Sequence, residues 1–200
     1  MQEGPEAALE RGWQLLEAGA AGEAAALLRS ALERRPDPPD EADLRHLLGR
    51  ALDELGDEKG MVREWLLVRR LDEQLDPPRP MFSPDQFERV AAQALDELPA
   101  DLLERLRDVP IIIDDRPSIG MVSDGIDPRL LGLFHGVPYP DQSTMFGTAA
   151  PWTIYLFQRN LEAETRGTDE LANEIRVTVI HETAHYFGLS DADLARLGLD

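Results

Sequence analysis

The chain has 200 residues, a formal charge of −19 and no cysteine. Such a charge repels nucleic acid and anionic membranes and argues against both as partners. The lack of Cys excludes disulfides, thiolate ligands and a thiol nucleophile, and is compatible with a reducing, cytoplasmic compartment. Met1-Gln2-Glu3-Gly4-Pro5-Glu6 carries no apolar signal core, and no run approaches the ~18 apolar residues of a membrane span.

The first part of the chain reads as paired helices. Residues 5–17 carry Ala8, Gly12 and Leu15 at helical spacing, and residues 23–35 carry Ala24, Leu27, Leu28 and Ala31. Pro36-Asp37-Pro38-Pro39 closes that pair. Residues 41–55 and 57–75 form a second pair, with Leu44, Leu47, Leu48, Ala51 and Leu52, then Met61, Trp65, Leu66 and Val68. Gly12 and Gly49 occupy like places 37 residues apart. Ala8, Gly12, Leu15, Ala24, Leu28, Ala31 and Pro36, with Leu48, Gly49, Leu52 and Trp65 in the second copy, resemble tetratricopeptide repeats, whose period is about 34 residues. A plain pair of helical hairpins accounts for the pattern almost as well. Either form implies a protein partner as a role for these helices. Trp13 and Trp65 read as packing residues, and His46, beside Leu47 and Leu48, as a surface or packing histidine.

Asp76-Pro77-Pro78-Arg79-Pro80 stops helix and marks a boundary, giving a helical part at 1–78 and a second domain at 79–200. Ser83-Pro84 opens a helix whose apolar face is Phe87, Val90, Ala91, Ala94 and Leu95; Pro99 breaks it, and residues 100–107 make a short helix. Residues 110–115 read as a buried strand. Asp127-Pro128-Arg129 reads as the cap of a short helix through Leu133. Residues 136–143 are loop by composition, residues 152–157 are the best strand in the chain, and residues 159–166 link that strand to a final helical segment.

The final segment, residues 168–187, ends in His181-Glu182-Thr183-Ala184-His185, an H-E-x-x-H motif. Val177, Thr178, Val179 and Ile180 read locally as strand. A strand would hold the two histidines roughly 13 Å apart, whereas a helix sets them one turn apart and lets both imidazoles reach one metal. The length, a cap at Thr168 and the acidic Asp169 and Glu170 favour helix. The projection groups Thr178, His181, Glu182 and His185 on an open metal face, with Val177, Ile180, Ala184 and Phe187 buried behind. Glu182 is placed to deprotonate a water, and Gly188 to end the helix in a left-handed turn. Asp191, ten residues after His181, holds the position where metzincins carry their third histidine; its carboxylate is an acceptable zinc ligand. His181, His185 and Asp191 are thus the candidate metal ligands and Glu182 the candidate general base, with Zn2+ as cofactor.

Residues 84–200 resemble the bacterial zinc metallopeptidase family with a minimal zincin fold. The marks are Ile113-Asp114-Asp115-Arg116-Pro117, Leu130-Leu131-Gly132-Leu133-Phe134-His135-Gly136-Val137-Pro138, Ile154-Tyr155-Leu156-Phe157, and the segment from Thr178 to Asp191. The resemblance implies an α+β domain with a small sheet, hydrolysis of peptide bonds, a peptide or protein substrate, and the same roles for His181, His185, Glu182 and Asp191. Only nine residues follow Asp191, too few for a Met-turn below the metal. An extended peptide is expected to pair with the edge of the 152–157 strand. Tyr155, Tyr186 and His135 are candidate stabilisers of the reacting carbonyl, and Asp114 and Asp115 candidate acceptors for a ligand histidine; packing or solvated roles are the commoner use of each. Two other classes stay open: a non-catalytic interaction adaptor with a zinc-stabilised domain, and a metal-dependent hydrolase of non-peptide substrates.

Overall fold

A computed structural model of the chain describes residues 4–98, 103, 104, 106, 109–135 and 153–188. The elements are α1 (Pro5–Glu17), α2 (Ala21–Leu32), α3 (Pro38–Glu54), α4 (Glu58–Leu75), α5 (Pro84–Asp96), β1 (Ile111–Asp114), α6 (Ile119–Ser123), β2 (Gly132–His135), β3 (Thr153–Phe157), α7 (Gln158–Ala163) and α8 (Thr168–Tyr186). They pack as two units. One comprises Met1–Pro77 with Pro117–Arg129, and the other Pro78–Arg116 with Leu130–Asp200. The chain therefore leaves the second unit after β1 and re-enters it before β2.

In the first unit, prolines in the first turns of α1 and α3 sit where no amide needs an intrahelical partner. Gly19 and Gly56, at φ 71° and 72°, turn the chain after α1 and α3. Leu28, Leu44, Leu47, Leu52 and Trp65 form the centre of the core. Gly12 and Gly49 mark close helix approaches. A Cβ on Gly12 would lie 2.9 Å from Leu47 Cδ2, and one on Gly49 would lie 2.1 Å from Trp65 Nε1. Trp65 is buried and its indole N–H donates to the His46 carbonyl at 3.3 Å. Trp13 departs from the packing role expected of it. It is 41% exposed, and the Arg50 guanidinium lies 4.6 Å over its ring.

Residues 117–129 complete this unit. Val122 of α6 enters its core. His46 Nε2 lies 2.9 Å from both carboxylate oxygens of Asp127. The Arg129 guanidinium donates to Asp72 at 2.8 and 2.9 Å and to Asp43 at 2.7 Å. The helix expected from Asp127 to Leu133 is not formed. Asp127 accepts from the Arg129 amide at 2.8 Å, closing a local turn. The helix forms earlier, at α6, capped by Ser118, whose hydroxyl accepts from the Met121 amide.

The second unit holds a three-stranded mixed sheet in the order β1-β3-β2, with β1 parallel and β2 antiparallel to β3. Ile154 pairs with Ile111 and with Phe134, and Leu156 with Ile113 and with Gly132. Strand alternation puts these residues on one face. Ile154 and Leu156 pack there with Phe87, Ala91 and Ala94 of α5 and Leu171, Ile175 and Val179 of α8. The start of α5 carries a complete capping box: Ser83 accepts from the Gln86 amide, and the Gln86 side chain accepts from the Ser83 amide. Asn160 of α7 holds both ends of the chain's excursion. Its amide carbonyl accepts from Arg116, and its NH2 donates to the Leu130 carbonyl at 2.6 Å. Of the short helix expected over 100–107, only residues 103, 104 and 106 are described, all helical.

Candidate active site

The motif segment is helical, as its spacing requires. Its cap is Gly167 rather than Thr168, which is the first helical residue; Asp169 and Glu170 come next, in the first turn. Gly188, at φ 77°, ends the helix, its amide donating to the His185 carbonyl at 2.9 Å. The buried stripe differs from the one expected. Leu171, Ile175 and Val179 are fully buried and Thr183 nearly so, whereas Val177 and Ile180 are half-buried. Contact with α5 as well as with β2 and β3 sets this, because the helix is enclosed from two directions.

His181 and His185 are half-buried and converge, with Nε2 to Nε2 at 2.9 Å and ring planes at 79°. Two nitrogens on one tetrahedral zinc, each at 2.0–2.1 Å, stand about 3.3 Å apart. The pair fits such an ion after opening by a few tenths of an ångström. Glu182 is buried at 8% exposure rather than lying on an open face. One carboxylate oxygen accepts from the Phe134 amide of β2 at 2.7 Å. Gly132 makes that approach feasible. A Cβ there would meet Thr178 Cγ2 at 2.7 Å and Glu182 Cγ at 2.8 Å. Neither Gly132 nor the Phe134 amide stands out as a site group in the sequence, because the stretch reads as a helix end; the glycine inside an apolar run is the one available signal.

Asp191, Trp152 and the 136–143 loop lie outside the described residues, and Tyr186 is described only in its backbone. Among the described residues no third His, Cys, Asp or Glu joins the two imidazoles. His135 and Tyr155 alternate onto the sheet face opposite Gly132 and Phe134, away from α8. Tyr155 stacks on Phe157 there, with ring centroids 6.2 Å apart. Asp114 is exposed, and Asp115 faces Arg159 at 3.8 Å; each is a solvated strand end. The edge expected on the 152–157 strand does not exist, because β3 is the central strand and has β1 and β2 on its two sides. The outer edge nearest the imidazoles belongs to β2.

Residues 106–199 match the family model described as zincin-like metallopeptidase. No curated protein matches the chain.

Proposed function

We propose, on the premise that residues 106–199 belong to the zincin-like metallopeptidase family, that the chain is a zinc-dependent peptidase. His181, His185 and Asp191 hold the metal, and Glu182 is the general base. The observation that carries this reading is the convergence of two Nε2 atoms at 2.9 Å beside a buried carboxylate held by a backbone amide. Zinc, when bound, lowers the pKa of a water toward about 7 and polarises the peptide carbonyl. Glu182 takes the proton from the attacking water and delivers it to the leaving amine. The Phe134 amide fixes one carboxylate oxygen and leaves the other to handle the proton. An extended peptide lies along the outer edge of β2, where main-chain hydrogen bonds orient it without regard to its side chains. The helices of residues 1–78 take a protein partner.

Metal content and peptide turnover test this together. The wild-type chain is expected to carry about one zinc, lost in His181→Ala/His185→Ala. Glu182→Gln keeps the metal and loses at least about a hundredfold in turnover, as removal of a general base does. Asp191→Ala weakens zinc binding more than Asp193→Ala. Unchanged turnover in Glu182→Gln overturns the peptidase reading in favour of an adaptor. Equal effects of the two aspartate changes remove Asp191 from the ligand set.

A further inference from the structure

A cavity of about 250 Å³ opens beside the motif helix and runs back from His181 and Glu182 toward the start of α8. Leu130 and Leu131, just before β2, form one wall, and Val177 and Thr178 form the other. Glu174 stands at the far end. It lies two helical turns before His181, about 10 Å along the axis. Glu174, Thr178, His181 and Glu182 are spaced by the three- and four-residue steps that align side chains on one helix face. The carboxylate is thus on the cavity side of α8 and in line with the imidazoles.

The chemistry of this cavity is uneven. Its sides near the imidazoles are aliphatic, and its end is anionic. Among the described residues Glu174 makes no ion pair or hydrogen bond, and the nearby Arg176 is engaged elsewhere, with Glu97 at 3.4 Å. A slot with apolar walls and a carboxylate at its end matches a side chain with an aliphatic stem and a cationic tip. The chain's formal charge of −19 draws such ligands in and repels acidic ones.

We infer that this cavity is a specificity subsite that takes a Lys or Arg side chain flanking the bond to be cleaved, with Glu174 pairing its cationic tip. The inference rests on the peptidase reading for its purpose, but its physical content is binding and is separable from cleavage. Leu130, Leu131 and Val177 cover the stem. Glu174 acts on the substrate's side chain only and takes no part in bond breaking.

The test measures binding to zinc-loaded Glu182→Gln chain by fluorescence anisotropy. The ligands are three labelled alanine hexapeptides that differ at one central residue: Arg, norleucine or Glu. The Arg peptide is expected to bind about tenfold more tightly than the norleucine peptide, the ordinary yield of one partly desolvated ion pair, and more tightly still than the Glu peptide. Glu174→Gln abolishes the Arg advantage, and Glu174→Lys transfers preference to the Glu peptide. Glu164→Lys, an equal charge change on an exposed residue outside the cavity, leaves the ranking as it was. Equal affinity for the Arg and norleucine peptides, or a ranking that Glu164→Lys alters as much as Glu174→Lys does, overturns the subsite. So does the absence of binding by all three. A Glu174-dependent preference together with no cleavage by the wild-type chain keeps the subsite and overturns the peptidase reading.

Discussion

At Gly132 a methyl group would have no room. The two atoms it would meet, Thr178 Cγ2 and Glu182 Cγ, belong to the helix that carries the motif. The second of these leads to the carboxylate that the Phe134 amide holds at 2.7 Å. Gly132→Ala is therefore expected to push β2 away from α8, to cost about 1–3 kcal/mol as overpacked sites do, and to displace Glu182 while leaving the two imidazoles in place. Urea denaturation, zinc content and turnover read the three effects separately. A variant of wild-type stability and turnover would mean that β2 yields freely and that Glu182 does not depend on it. The residue is hard to weigh from the sequence for the same physical reason. A glycine in a strand announces close backbone approach, but not which side chain is approached.

The elements divide by how local their determinants are. Helix α5 begins at Pro84 with its Ser83 and Gln86 cap complete, as Ser-Pro in the sequence indicates. All the groups that set it lie within four residues. Ser83→Ala is expected to cost about 1 kcal/mol and Ser83→Gly only a few tenths, because glycine lets water reach the freed amides; denaturation midpoints of the two variants check the ranking. The 127–133 segment behaves in the opposite way. Asp-Pro-Arg is a sound helix start when read locally. Yet Arg129 is drawn to Asp72 and Asp43, and Gly132–His135 pairs with β3. Partners 57 and 86 residues away in sequence outweigh the local cap.

At the scale of the whole chain, the boundary expected at the Asp76–Pro80 stretch is crossed more than once. Residues 117–129 pack with the helical unit, tied down by His46, Asp72 and Asp43. Burial raises the Asp127 carboxyl, but the hydrogen bond and charge of His46, the Arg129 amide and Arg50 outweigh that and hold it below the usual carboxylate range. A carboxylate depressed in the folded state contributes stability above its unfolded pKa, and this is lost as pH falls through the folded value. The loss belongs below about pH 4. Asp127→Asn is expected to be less stable than wild type at pH 7 and to lose less on going from pH 5 to pH 3. Urea midpoints at the three pH values measure it, and parallel acid limbs would show that the Asp127–His46 contact does not anchor the segment. The tetratricopeptide-like character of the helical unit is supported by the two close-approach glycines, Gly12 and Gly49, and stays part of the proposal about its partner.

By itself the sequence determined what depends on near neighbours and on residue chemistry. That covers the amphipathic helices with their proline and glycine limits, the α+β character of the second part, and a helix that sets His181 and His185 one turn apart. Periodicity, caps and motif spacing act within a few residues, so they can be read from a string. Only the tertiary structure decided that β3 lies between β1 and β2, that residues 117–129 join the helical unit, that Glu182 is buried against a β2 amide, and that Glu174 ends a cavity leading to the imidazoles. These arise from pairings between residues far apart in the chain. Their outcome depends on which of several locally acceptable partners can be reached once the core has closed.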